Sequence, residues 1–279
     1  MNNAIKNRYD FVYLFDVKDG NPNGDPDQAN LPRVDVENQE GIVTDVCIKR
    51  KVRNYIQLKH ALKSPFDIFI RQGNILAPII DKTEGDTPQK RQQNLCATYY
   101  DIRTFGAVLS VGDKGAGTVR GPVQLTFGRS EDRIYQADHS ITRLCVTTER
   151  EAEAQGDRAF ASTFGRKATV PYALYRMHGF VSATDAIKTE FTENDLVLLW
   201  EALLNAFEHD RSAARGEMNP RKLIVFKHES HLGNARSGEL FERVVIKKNT
   251  ELPRNWFKDY SVSINRDNLP KGIEIIEKL

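Results

Sequence analysis

Cysteine is scarce in this chain of 279 residues. Cys47, Cys96 and Cys145 are odd in number and far apart. That excludes a disulfide framework and a cysteine zinc site, and it points to a reducing, cytoplasmic setting. Long apolar runs are missing too, so no helix is expected to span a membrane. The start, Met1-Asn2-Asn3-Ala4-Ile5-Lys6, has no apolar core of a signal peptide. Net charge is slight: 40 basic and 38 acidic residues leave +2. Gly-x-Ser-x-Gly, the phosphate-loop lysine motif and the dinucleotide fingerprint are all absent. His228-Glu229-Ser230-His231 is one residue short of the H-E-x-x-H zinc pattern, so its two rings would not share a helical face. The chain thus carries no signature of a catalyst, a metal centre or a bound cofactor.

Local concentrations stand out against that balance. Phe11-Val12-Tyr13-Leu14-Phe15-Asp16-Val17 is apolar on both faces and predicts an interior strand. A loop follows, Asp19-Gly20-Asn21-Pro22-Asn23-Gly24-Asp25-Pro26-Asp27. A helix then starts near Thr44, with Thr44 as its cap, and carries Lys49-Arg50-Lys51-Val52-Arg53. Four cations in five residues form a patch of the kind a phosphate backbone attracts. Asp45 is the only acid at the helix start, so no i,i+4 pairing is expected to neutralise the patch. The loop's glycines and asparagines can bring backbone N–H groups close to phosphates.

The rest of the chain supplies the remaining elements. Residues 81–88 read as an exposed loop, with a short helix through Tyr99 or beyond. Residues 120–129 read as a strand, and 172–181 as another. Between them, 131–169 is polar and reads as a protruding hairpin, with a turn at Gly156-Asp157. Thr192-Glu193-Asn194-Asp195 has capping-box spacing ahead of a helix whose Leu196, Leu199, Trp200, Leu203, Leu204 and Phe207 share one face. Strand-like pieces follow at 222–227, 244–247, 260–264 and 273–276. The order strand, helix, strand, strand, helix, strand suits an α+β split βαβ sheet of the ferredoxin or RNA-recognition-motif type.

Two metal readings can be weighed on the loop. Asp19-Gly20-Asn21-Pro22-Asn23-Gly24 matches half of a calcium loop, but its twelfth position is Asn30 instead of a bidentate glutamate. Asp25 or Asp27 as the centre of a metal-dependent ribonuclease lacks a third carboxylate at a useful spacing. No metal site is expected.

Phe15-Asp16-Val17 with Asn21 to Asp27, Thr44 to Lys51, Tyr100 to Val108, Val119 to Gln124, Ser140-Ile141-Thr142-Arg143, His209 to Gly216 and Arg221 to His228 together resemble one family. It is the backbone subunit of CRISPR type I-C Cascade, in the seventh Cas family (Csd-two/Csh-two subgroup). The resemblance spans nearly the whole chain. It implies a single domain over 1–279, built on an RNA-recognition-motif-like palm (about 8–62, 118–130 and 171–279). A helical finger is inserted at about 63–117 and a β-hairpin thumb at about 131–170. It implies a non-enzymatic role, with copies aligned head to tail along a CRISPR RNA that pairs with target DNA. The other implied partners are the fifth-family RNA-processing subunit, the large eighth-family subunit and the small subunit. Carried onto this chain, the RNA-binding residues are Asn21, Asn23, Gly24, Lys49, Arg50, Arg53, Arg143, Arg166 and Lys167. Arg103, Arg120, Arg211 and Arg215 serve either RNA or the contact between copies.

Overall fold

A computed structural model describes residues 4–154 and 163–279. The predicted turn at 156–157 lies outside them. The first segment contains β1 (Tyr9–Gly20), a small ladder of β2 (Gly24–Asp25) with β3 (Leu31–Pro32), then β4 (Glu40–Val43) and α1 (Asp45–His60). The next holds α2 (Leu76–Lys82), α3 (Pro88–Thr98), α4 (Tyr100–Phe105) and the two-stranded pair β5 (Gly106–Leu109) and β6 (Gly117–Arg120). The chain returns through β7 (Val123–Leu125), β8 (Gly128–Arg133), β9 (Ala137–Arg143) and α5 (Glu149–Ala154). It continues through the long β10 (Thr163–Val181), α6 (Ala183–Thr189), α7 (Glu193–Leu204) and β11 (Glu217–His228). It ends with α8 (Ser237–Glu242), β12 (Val244–Lys248), α9 (Trp256–Asp259), β13 (Tyr260–Ile264) and β14 (Ile273–Glu277).

The main sheet has the order β14-β11-β1-β10-β8-β4, with β7 and β9 also on β10, and every pairing is antiparallel. β1 is interior, as its two apolar faces require. Phe11, Tyr13, Phe15 and Val17 join Ile48, Val52 and Ile56 of α1 and Leu196, Leu199 and Leu203 of α7 in one core. Phe11 meets Trp200 edge to face at 5.0 Å, an arrangement that contributes about 1 kcal/mol beyond its buried area. Val12 and Leu14 point the other way, into a second core closed by Leu240, Phe241, Val244 and Tyr260. A third, smaller core within 69–119 joins Phe69, Ile80, Leu95, Ile102 and Leu109.

Three expectations need correction. The strand expected over 120–129 is broken: β6 ends at Arg120 in a separate sheet, and β7 and β8 flank residues 126–127. Gly121 packs against the Phe105–Gly106 backbone, where a Cβ would sit 2.3 Å from the Gly106 nitrogen, so the chain changes sheets there. The hairpin begins later than residue 131, because Glu131–Arg133 continue β8 beside β4 and β10. Thr44 is the N-cap residue of α1, but its hydroxyl donates to Asn23 Oδ1 at 2.9 Å and makes no cap bond. The Thr192–Asp195 capping box, in contrast, is present in full.

Candidate nucleic-acid interface

The loop after β1 is tightly built. At Gly20 a Cβ would stand 2.1 Å from the Arg215 carbonyl oxygen, so only glycine allows the 210–216 loop to lie against β1. The Asn21 N–H donates to Ala214 O at 2.7 Å, and its side-chain amide donates to Asn30 O at 2.6 Å. Asn23 Oδ1 accepts from both the N–H and the hydroxyl of Thr44, each at 2.9 Å. A Cβ on Gly24 would stand 2.0 Å from Asn30 Oδ1. These three predicted residues are brought together, but both asparagine side chains tie the loop to itself and to α1. Asp25 caps the short turn over Pro26–Gln28 and lies 3.5 Å from Arg33. Among the described residues, no group of three or more His, Cys, Asp or Glu clusters as a metal site.

The basic helix differs most from its sequence reading. Lys49 pairs with Asp45 at 2.9 Å, an i,i+4 bridge where the sequence predicts none. Its ammonium also lies 5.7 Å from the centre of the Phe105 ring. Arg50 donates to the Ile70 carbonyl at 2.7 Å, and its pKa is lowered by burial first and by Arg53 second. Lys51 is buried against Asp210. Arg53 is 8% exposed and donates to Asp101 at 2.8 Å. Asp101 also accepts the N–H groups of Phe69 and Ile70, at 2.8 and 3.0 Å. The patch is therefore largely neutralised from within. Arg50 and Arg53 hold the 68–71 segment against α1 instead of facing solvent as free cations.

Three of the four weaker candidates are likewise engaged, and the fourth is mostly exposed. Arg103 is buried and forks onto Asp195 Oδ1 at 2.8 and 3.1 Å. Arg215 reaches Asp210 Oδ2 at 2.7 Å, so that one carboxylate serves Lys51 and Arg215 together. Arg211 pairs with Glu208 at 2.9 Å on the surface. Arg120 lies 3.4 Å from Asp185 and remains largely exposed.

Uncompensated charge lies instead on the hairpin of β9 and β10. Its register sets Arg143 opposite Thr163, Arg166 opposite Ser140 and Lys167 opposite His139. Arg143 donates only to neutral oxygens, those of Cys145, Thr147 and Thr163. The side chains of Arg166 and Lys167 have no partner among the described residues. Exposed apolar side chains accompany them: Phe164, Leu144 and Ile141. Lys18, which sequence reasoning missed, is exposed at the end of β1 opposite Tyr172. Its signal was present, since it follows directly on the apolar run. The hairpin root meets the loop, because Gly20 pairs with Val170 and Gln136 donates to Pro32 O at 2.6 Å. Strand alternation puts Arg166 and Phe164 on one face of the hairpin and Lys167 and Arg143 on the other, so cations flank both sides of a ribbon that rises from the loop. A cation beside an exposed aromatic suits a polyanion with stacking groups.

The family model for CRISPR-associated protein Cas7 matches residues 7–265. The chain belongs to the Cas7 family. A CRISPR-associated protein Cas7 from Haloferax volcanii is 24% identical over 265 residues, covering 84% of this chain and 74% of that one. Among solved structures, a chain of a CRISPR RNA-guided surveillance complex in a pre-nicking state aligns with a TM-score of 0.50 and 13% identity, over 78% of each chain. A second CRISPR RNA-guided surveillance complex aligns with a TM-score of 0.45 and 12% identity, over 78% of this Cas7 chain and 68% of that one. The mixed α/β fold is thus that of a solved CRISPR complex chain. No helix among the described residues is long and apolar enough to cross a membrane.

Proposed function

We propose that this Cas7-family chain is a CRISPR RNA-binding backbone subunit of a type I-C Cascade effector complex. The observation that carries the reading is the run of unneutralised cations on the β9–β10 hairpin, beside the exposed Phe164. In this reading the main sheet with α1 and α7 is the palm, the 63–117 lobe is the finger, and the hairpin is the thumb. Copies line up head to tail along the RNA, an association that does not close and so follows a linear strand. Target DNA is read by pairing with the guide, while the protein grips backbone and shape. The large subunit, the small subunit and the RNA-processing subunit complete the complex. The chain itself carries no catalytic step and works in the cytoplasm.

Within the palm and thumb, Lys18, Arg143, Arg166 and Lys167 are the phosphate ligands. Asn21, Asn23 and Gly24 shape the loop beneath the strand, and Arg50 and Arg53 seat the finger. Replacing Arg143, Arg166 and Lys167 together by alanine should weaken binding to guide RNAs of any sequence. It should also reduce the slope of log affinity against log salt by about 0.7 for each phosphate no longer gripped. Filter binding at several salt concentrations measures both. RNA affinity and slope equal to wild type in that variant would refute the assignment. Lys49→Ala, by contrast, should change the slope little, since Asp45 already neutralises it.

A further inference from the structure

A cleft opens on the sheet face opposite α1 and α7. It consists of two cavities of about 600 and 450 Å³ that share Glu40 and Glu131. The volumes are those of small-molecule sites. Its groups can be sorted by what they have left to offer. The Tyr172 hydroxyl donates to Asp16 at 3.0 Å, and the Tyr260 hydroxyl to Asp132 at 2.5 Å. Asp132 also takes Lys248 at 2.5 Å, and Glu40 and Asp35 share Arg129. Arg176 donates to Val244 O, Phe241 O and His178 Nε2. All of these are satisfied within the protein.

Four charged groups lining the cleft remain open. Glu131, on the shared wall, has no hydrogen-bond or ion-pair partner among the described residues, and burial lifts its carboxyl above the ordinary range. Arg133, Arg254 and Glu251 are exposed at the mouth of the larger cavity, and none of the three charged side-chain groups has a partner among the described residues. Tyr135 and Leu252, each 73% exposed, line the larger cavity with them and add a flat ring and an apolar side chain. The polarity therefore runs from a carboxylate inside to a mouth where two cations outnumber one acid.

We propose that this cleft binds a guanine nucleotide, with the base turned toward Glu131 and the phosphate toward Arg133 and Arg254. A carboxylate offers two acceptor oxygens side by side. Guanine presents two adjacent donors on its Watson–Crick edge, N1–H and the 2-amino group. Adenine offers a donor beside an acceptor, which a carboxylate repels. Tyr135 gives the ring a face to stack on. The nucleotide is either free or a guanosine splayed from a single strand, and the chemistry at Glu131 is the same for both.

The test is calorimetric titration of the full chain with GMP, IMP and AMP, and with two short oligoadenylates, one carrying a single guanosine. GMP should bind about tenfold or more tightly than AMP, as expected for a bidentate pairing. IMP, which lacks the 2-amino group, should lose much of that advantage in the unaltered protein. Glu131→Gln should abolish the preference without lowering the melting temperature, and Arg254→Ala should weaken GMP but not guanosine. A preference shown by the oligonucleotides and not by mononucleotides assigns the site to a strand and supports the proposal. Equal binding of GMP, IMP and AMP, with no preference between the oligonucleotides, overturns it. The hairpin variant lacking Arg143, Arg166 and Lys167 should keep its GMP affinity, so loss of backbone binding and loss of this site are read separately.

Discussion

Asp101 is the residue on which the neutralised helix depends. It is 1% exposed and takes three hydrogen bonds, from Arg53 and from the Phe69 and Ile70 backbone. Asp101→Asn keeps the shape but removes the charge, leaving a buried guanidinium without a counter-ion. Such a loss costs about 3–5 kcal/mol. Urea unfolding should show it, while Arg120→Ala, at an exposed pair 3.4 Å apart, should change stability by less than about 1 kcal/mol. A midpoint in Asp101→Asn as high as in wild type would mean that water already compensates Arg53. These partnerships were not legible in the chain. The four cations of α1 stood out at once, but Asp101 and Asp210 lie 48 and 159 residues from the side chains they neutralise. Only Lys49 with Asp45 was within reach of a local pattern, and there the single acid sufficed.

At the level of elements, the periodic signals carried well because burial enforces them. The two apolar faces of β1, the buried face of α7 and the polar character of the hairpin all follow from which sides meet a core. The capping box shows the same. Thr192 Oγ1 accepts the Asp195 N–H at 3.2 Å, and Asp195 Oδ2 accepts the Thr192 N–H at 2.9 Å. What the spacing could not reveal is that Asp195 also receives Arg103 on its other oxygen. The two residues of one motif therefore separate in energy. Thr192→Ala should cost about 1 kcal/mol, an ordinary cap loss. Asp195→Ala should cost about 3 kcal/mol or more, because it also strands a buried arginine. Denaturant midpoints of the two variants give the comparison, and equal midpoints would show that the cap alone matters. The broken strand at 120–129 failed for a related reason, since the turn at Gly121 is set by the distant Gly106 backbone.

For the whole molecule, near-zero net charge hides a marked dependence on acid. Desolvation, then the neighbouring Arg176, lowers the His178 pKa to about 4, and desolvation also lowers that of His60. His178 stacks on Phe241 at 4.0 Å and accepts from Arg176 at Nε2, so the fold needs it neutral. Between the ordinary histidine pKa of about 6.5 and about 4, the unfolded chain binds a proton that the folded chain refuses. Stability therefore falls as pH falls through that window, and the histidine contribution levels off below it. Glu131 acts in the opposite sense, because its raised pKa lets the folded protein take up a proton first. Asp35 and Glu201, held low by their hydrogen bonds to Arg129 and to Lys59, withdraw support only in stronger acid. His178 carries the large shift, so the unfolding midpoint should decline as pH falls from about 6.5 to about 4. His178→Gln keeps a side chain able to accept from Arg176 but cannot titrate. It should remove roughly 2 kcal/mol of that decline, after allowing for partial solvent screening. Urea titrations of both proteins across the range decide the matter, and parallel pH profiles would rule His178 out as the source.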